Sequence, residues 1–395
     1  MDVACLLHIQ GRKDTFHEIA RIRSDGLGDI SDVRERCGRN KADASVGNTH
    51  AIFERGRKLD DVHVGKSRIT HVNQDGEQRK MKVLIASGGT GGHIFPAIVF
   101  GKNLQEHGAN VSWLCGSRPL EREIYTASGI EPVILPLAGS PMGTKSPAEI
   151  LRRLSAVISS LRLTAKYVKT FRPDKIYLFG GYISFAPLIV AKLNHIPVTL
   201  HEQNTVAGRV ARIAAKIGAE IITGWPVCEG VSHFTYTGTP AREPVRLARD
   251  EALRILGVNV REGAKVVGVA GGSLGSGPLS EILKSAAKLC PDYEFIFLSS
   301  KTRHDDGNAH FILSQWDMNP FYSVCDVLVC RSGGSTLAEV LKWGMPAITI
   351  PWPGAMDNHQ AKNAAEFVKL AKNACVFNEE GRPEDLAEMI RNIIE

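Results

Sequence analysis

MKVLIASGGTGGH, residues 81–93, decides the fold reading. A short apolar run from Met81 to Ala86 stops at Ser87 and enters Gly88, Gly89, Thr90, Gly91 and Gly92 before His93. That order reads as strand, glycine loop and helix, the usual opening of an α/β unit. Glycine admits positive φ and lets a ligand approach the backbone. Pro96 suits the first turn of the expected helix.

Outward from that stretch, Val/Ile-rich runs alternate with amphipathic ones. ANVSWLC (109–115), EPVILPL (131–137), DKIYLF (174–179), IPVTL (196–200) and AEIITG (219–224) predict strands. PAIVFGKNLQEH (96–107), AEILRRLSAVISSLRLTAKYVKTF (148–171) and AGRVARIAAKIG (207–218) predict helices. The pattern restarts after TGTPAREPV (237–245). AKVVGVAG (264–271), YEFIFLS (293–299), VLVCRS (327–332) and PAITIPW (346–352) are strand-like. PLSEILKSAAKL (278–289), STLAEVLKWG (335–344), NHQAKNAAEFVKLA (358–371) and PEDLAEMIRNIIE (383–395) are helix-like. Strands separated by helices favour parallel sheets with right-handed crossovers. The expected class is α/β: two Rossmann-like, doubly wound domains, residues 81–243 and 244–395, facing a cleft lined by loops at strand C-termini.

Residues 1–80 differ in kind. They hold 15 Lys+Arg and 13 Asp+Glu, while all 19 prolines lie after residue 80. They read as a leader without a chemical motif, a small appended unit or a flexible arm. HEIARIR suggests a brief helix and SRITHVNQ a brief strand.

The 395 residues suit two domains, and 43% hydrophobic content excludes a disordered or fibrous chain. No run approaches the roughly 18 apolar residues of a membrane span. The eight cysteines are scattered without a C-x-x-C pair, as buried free thiols of a reducing compartment would be. A net charge of +6 permits an anionic partner. A nucleic-acid reader is not expected, because no basic patch interleaved with aromatics occurs.

Several loops at expected strand ends carry candidate chemistry. His93, with an ordinary pKa near 6.5, can take a proton from a hydroxyl near neutrality. Thr90, Gly91 and Gly92 would offer N–H groups to a phosphate at the helix start. Gly180-Gly181-Tyr182-Ile183-Ser184 and His201-Glu202-Gln203-Asn204 bring hydrogen-bonding groups suited to a sugar, unless Asn204 or Thr205 merely caps the next helix. Gly271 to Ser276, with Ser273, forms a second candidate phosphate cradle. Glu339 could grip two ribose hydroxyls or close a capping box with Thr336. Gln360 and Asn363, three residues apart, share a helix face suited to sugar hydroxyls, while Asp357 or Asn358 could cap that helix. No D-x-D follows residue 80 and no carboxylate cluster suggests a metal. A departing diphosphate would then rest on helix N-termini and backbone N–H groups.

Taken together, GGTGGHIFPA (88–97), GGYISFAP (180–187), HEQNTVAG (201–208), TGTPARE (237–243), GGSLGS (271–276), CRSGGSTLAEV (330–340) and PAITIPWPGAMDNHQAKNAAEF (346–367) closely resemble one family, in family order. It is the MurG-type, family 28 group of peptidoglycan lipid I N-acetylglucosaminyltransferases. The resemblance implies a GT-B fold, a UDP-GlcNAc donor and no cofactor. It implies an undecaprenyl-diphosphate-linked MurNAc-pentapeptide acceptor at the inner face of the cell membrane. It also implies contact with cell-wall synthesis proteins. Peripheral attachment to an anionic membrane surface is expected from segment 148–169, where Arg152, Arg153, Arg162, Lys166 and Lys169 stand against Glu149 among Leu151, Leu154, Ile158, Leu161 and Leu163, with Met142 and Lys145 in the preceding loop, unless that helix simply buries its apolar face on its own sheet. By the same resemblance, His93 is an acceptor-side catalytic residue, Tyr182 lies in an acceptor-side loop and Asn204 in the cleft. Arg242 lies near the hinge and donor site, Ser273 at the diphosphate, Glu339 at the ribose and Gln360 at the GlcNAc hydroxyls. Thr239, Leu274 and His359 depart from the family pattern, and stretches 209–236 and 299–313 are short for it.

Overall fold

The computed structural model describes residues 70–72, 78–139, 146–271, 277–298 and 302–395, all within one compact unit of the chain, Ile52–Glu395. Of the leader, β1 (Thr70–Val72) and β2 (Gln78–Lys80) form an antiparallel pair. The Arg79 guanidinium bonds the Asp174 carboxylate, tying this pair to the strand region that follows. The rest of the leader, the loop bearing Met142 and Lys145, and the Gly272–Ser276 loop with Ser273 lie outside the described residues.

The first sheet is built from β3 (Lys82–Ala86), β4 (Asn110–Cys115), β5 (Val133–Ile134), β6 (Lys175–Leu178), β7 (Val198–Glu202), β8 (Glu220–Thr223) and β9 (Thr235–Tyr236). Its spatial order is β5-β4-β3-β6-β7-β8-β9, parallel throughout. The second sheet comprises β10 (Lys265–Ala270), β11 (Tyr293–Phe297), β12 (His304–Asp306), β13 (Ala309–Phe311), β14 (Val327–Cys330), β15 (Ala347–Thr349) and β16 (Ala374–Val376). Its order is β12-β13-β11-β10-β14-β15-β16, with only β12 antiparallel. In each sheet the first strand lies centrally and the order reverses beside it, the doubly wound arrangement.

β3 shows why its sequence makes a central strand. Val83, Leu84, Ile85 and Ala86 are all fully buried, between helices on both faces. The helix Gly91–Glu106 lies so close above that a Cβ at Gly101 would sit 2.1 Å from the Trp113 ring. Helices Arg249–Leu256 and Gly334–Trp343 each stop at a left-handed glycine, Gly257 and Gly344.

The structure corrects several local expectations. The first-domain helix opens at Gly91, so half the glycine loop is helical and Pro96 lies inside the helix. Its missing N–H forgoes only the bond to the Gly92 carbonyl, near the frayed first turn. EPVILPL contributes only Val133–Ile134 to its sheet. Helices Pro119–Ala127, Phe185–Leu193, Arg249–Leu256 and Asn319–Val324 were not legible, nor were β9, β12, β13 and β16. Each is too short for periodicity to declare it. The short 299–313 stretch still supplies β12 and β13, an edge hairpin that completes seven strands. All six described cysteines are free thiols at least partly withdrawn from solvent. Burial pushes the Cys330 thiol up to about 12.

Candidate active site

The switch point of the first sheet lies between β3 and β6, where neighbouring loops part to opposite faces. The loops after those strands are Ser87–Thr90 and Phe179–Gly181, so the fold brings His93 and Tyr182 to one place. Gly180 and Gly181 have φ of 77° and 72°, which a side chain would resist. Cβ atoms there would lie 3.3 Å from His93 Nδ1 and 2.8 Å from the Gly88 carbonyl oxygen. The glycines therefore let the second loop close over the first.

A residue the sequence reading missed joins both loops. Glu121, fully buried on helix Pro119–Ala127, accepts the Gly89 N–H at 2.8 Å and the Tyr182 hydroxyl through Oε1. Its Oε2 has no partner among the described residues. The Arg118 guanidinium lies 5.1 Å from the Tyr182 ring centroid. Nothing in PLEREIYTA signals this role, which exists only once the helix meets both loops. The Gly89 N–H is thereby spent, and the His93 N–H bonds the Thr90 carbonyl. Gly91 and Gly92 supply the first N–H groups of the helix. Thr90 stands at the N-cap without a side-chain cap bond.

The His201–Asn204 segment leaves the end of β7. Glu202 is buried and accepts from the Asn204 N–H at 3.1 Å, the Asn204 amide at 3.2 Å and the Gly208 N–H at 2.9 Å. The cap readings at Asn204 and Thr205 are corrected, since the next helix begins at Arg209 with Gly208 as its cap residue. Both residues instead meet the second domain. Asn363 Oδ1 accepts from the Thr205 N–H at 2.9 Å and its hydroxyl at 3.0 Å. Asn363 Nδ2 donates to Asn204 Oδ1 and to the Ser332 carbonyl, each at 3.0 Å. A buried Asn side chain has two donors and one twofold acceptor, and all are used. Asn363 thereby joins the two halves of the chain, and a sugar hydroxyl would have to share or displace one of these contacts. Nearby, Gly334 abuts Gln203 so tightly that a Cβ would lie 1.9 Å from the Gln203 carbonyl oxygen. The C-terminal ends of the two sheets thus face each other.

Glu339 is the sixth residue of helix Gly334–Trp343, and no side chain caps that helix, which corrects the capping-box reading. It is 7% exposed. Oε1 takes Arg242 Nε at 2.9 Å and Oε2 takes the Tyr322 hydroxyl at 2.8 Å. Arg242 also lies 4.9 Å from the Phe95 ring centroid, two residues beyond His93. Gln360 Oε1 accepts the Trp352 N–H at 3.0 Å. Asp357 and Asn358 adopt left-handed backbone, both at φ 53°, and no side chain caps the helix they precede. Among the described residues, no group of three His, Cys, Asp or Glu is placed to hold a metal.

His93 itself is half-buried, and its Nδ1 lies 2.8 Å from Gln203 Oε1. Its Nε2 makes no hydrogen bond among the described residues. A neutral imidazole donating through Nδ1 keeps the Nε2 lone pair for an incoming hydroxyl.

Two doubly wound sheets with their C-terminal ends face to face are the GT-B architecture. The solved structure of Acinetobacter baumannii MurG has this fold, with TM-score 0.60, 24% identity and coverage of 80% of this chain and 91% of that one. A spinosyn rhamnosyltransferase complexed with thymidine diphosphate has it too, with TM-score 0.55, 16% identity and coverage of 80% and 92%. The glycosyltransferase family 28 N-terminal domain matches residues 83–223 and the family 28 C-terminal domain residues 266–395. A UDP-N-acetylglucosamine--N-acetylmuramyl-(pentapeptide) pyrophosphoryl-undecaprenol N-acetylglucosamine transferase from Dechloromonas aromatica is 32% identical over 325 residues, 78% of this chain and 89% of that protein. Its namesake from Thermodesulfovibrio yellowstonii is 30% identical, covering 80% and 90%. The chain belongs to glycosyltransferase family 28.

Proposed function

We propose that this chain transfers GlcNAc, with inversion, from UDP-GlcNAc to the MurNAc 4-hydroxyl of undecaprenyl-diphosphate-linked MurNAc-pentapeptide. His93 Nε2 takes the hydroxyl proton as that oxygen bonds the anomeric carbon. The bond from that carbon to UDP breaks, and its electron pair leaves on the diphosphate. Thr90, Gly91 and Gly92 face the acceptor diphosphate, with Tyr182 and Asn204 beside it. Ser273 and the helix start after its loop receive the donor diphosphate, while Gln360 meets GlcNAc hydroxyls. Glu339 receives the ribose. Since Arg242 and Tyr322 hold both of its oxygens, ribose binding must displace or share Arg242. No metal or cofactor enters this reading.

The observation that carries it is the His93 imidazole with its Nε2 uncommitted at the switch point of a family 28 fold. Its test is transfer of radiolabel from UDP-GlcNAc to purified lipid I, by the full chain and by residues 81–395. A lipid-linked disaccharide is expected from both. UDP release without lipid I would indicate hydrolysis or epimerisation, and no turnover of any UDP-sugar an inactive scaffold.

A lipid-linked acceptor requires access to a membrane, and no described helix is long and apolar enough to cross one. We read the chain as a peripheral protein of the cytoplasmic face, reached by anionic headgroups and by cell-wall synthesis proteins. Helix Pro147–Phe171 supports this. Its later residues Leu161 and Leu163 pack on the sheet, while Leu151, Leu154 and Ile158 are 69%, 46% and 49% exposed. Those three lie on one helix face. Arg152 and Arg153, read from sequence as the charged contact, both pair with Glu149. Glu149 offsets one of the two arginine charges, and the apolar stripe lies exposed beside them as a second contact.

A further inference from the structure

A chain of polar contacts runs from the interdomain linker to His93. The Gly238 carbonyl lies 2.9 Å from His201 Nε2. Gln203 Nε2 lies 3.2 Å from His201 Nδ1 and 3.1 Å from the His201 carbonyl. Gln203 Oε1 lies 2.8 Å from His93 Nδ1. A carbonyl only accepts, so His201 must carry its proton on Nε2. A neutral His201 then has a bare Nδ1, which accepts from the Gln203 amide. That fixes the amide orientation and leaves Gln203 Oε1 as an acceptor, which only an Nδ1–H on His93 can satisfy. His201 is fully desolvated, and burial holds its pKa down at about 4, so it stays neutral near pH 7.

We propose that Gln203 is a positioning residue that locks His93 in its Nδ1–H tautomer, with His201 and the Gly238 carbonyl as its anchor. The proposal rests on the reading of His93 as the base, because that tautomer puts the lone pair on Nε2. The Gln203 backbone is held as well: its carbonyl accepts the Trp225 indole N–H at 2.9 Å and abuts Gly334. The anchor belongs to the linker region, so tautomer and interdomain geometry are set by one network. A neutral amide suits the task, because it orients the ring without holding a proton on it. A carboxylate in its place would hold the same tautomer but stabilise the imidazolium, so the ring would stay protonated to a higher pH. The other titratable groups around His93 are His201 and, beyond Gly89, Tyr182 with Glu121 and Arg118.

The test uses the full chain with ¹⁵N-labelled histidine. Long-range ¹H–¹⁵N spectra, with His93→Gln identifying the His93 signals, should show protonated Nδ1 and bare Nε2 in the wild type. Gln203→Leu should mix the tautomers and lower kcat for GlcNAc transfer at least roughly tenfold, with donor KM little changed. Gln203→Glu should move the acid limb of kcat/KM upward by about 1 unit or more, since an adjacent carboxylate favours the charged ring. Nε2–H as the main wild-type tautomer would overturn the proposal even if Gln203→Leu failed to fold. So would a Gln203→Leu protein with unchanged tautomer and full kcat. A His93→Ala enzyme with full activity, alongside the expected wild-type spectrum, would refute the base reading and leave the tautomer lock standing.

Discussion

His93 and Glu339 carry the sharpest consequences at the residue scale. His93→Ala should lower transfer by about 10²–10⁴-fold, the usual worth of a positioned base, while UDP-GlcNAc affinity by calorimetry stays nearly constant. A fully active variant would reject the role. Glu339→Gln should weaken both UDP and UDP-GlcNAc, by about 1.5–3 kcal/mol if the carboxylate grips the ribose. Unchanged UDP binding would leave Glu339 only its partnership with Arg242 and Tyr322. His201 predicts a stability profile. Its folded pKa of about 4 lies below the ordinary 6.5, so between those values the unfolded chain binds a proton the native one refuses. Stability is full above pH 6.5 and falls by roughly 3 kcal/mol as pH drops to 4. His201→Gln should flatten the urea midpoint across that window, and an unchanged slope would assign the loss to other groups.

Two helices illustrate how elements are fixed by what they touch. Gly101 lets helix Gly91–Glu106 settle on Trp113, so Gly101→Val should cost about 1–3 kcal/mol or more by overpacking, read from urea unfolding. A neutral substitution would mean the Trp113 ring can swing aside. Helix Pro147–Phe171 is amphipathic in sequence, and that pattern alone predicts burial of its apolar face. The structure divides it instead, with one end packed and the other bare. Replacing Leu151, Leu154 and Ile158 by Asp should reduce sedimentation with anionic vesicles. Removing Arg152 and Arg153 should weaken binding in a salt-dependent way, because Glu149 offsets only one of the two charges. Equal vesicle binding by the triple variant would remove this stripe as the anchor.

At the scale of the whole molecule, Asn363 is the bolt between domains. Asn363→Leu strands the Thr205 donors, the Asn204 amide and the Ser332 carbonyl, and burying them unpaired favours opening. Small-angle scattering should show a larger radius of gyration than for the wild type. An identical profile would mean that Gly334 against Gln203 and the Arg242–Glu339 pair suffice to hold the domains.

The sequence alone determined the two α/β halves, because alternating apolar runs and glycine turns are local patterns read along the chain. It also marked His93, Tyr182, Asn204, Glu339 and Gln360 as candidates, since ordered glycine loops at strand ends are local too. It could not assign their partners. Glu121 joins two glycine loops without any motif of its own, reaching Gly89 across 32 residues and Tyr182 across 61. Asn363, marked as a sugar contact, also meets Thr205 across 158 residues through Oδ1, and Asn204 and Ser332 through Nδ2. Gln203 sits inside a recognisable motif, yet its contact with His93 spans 110 residues. Hydrogen-bond satisfaction in a buried site depends on which groups arrive together. Only the folded chain decides that, because burial removes the water that would otherwise serve every donor and acceptor equally.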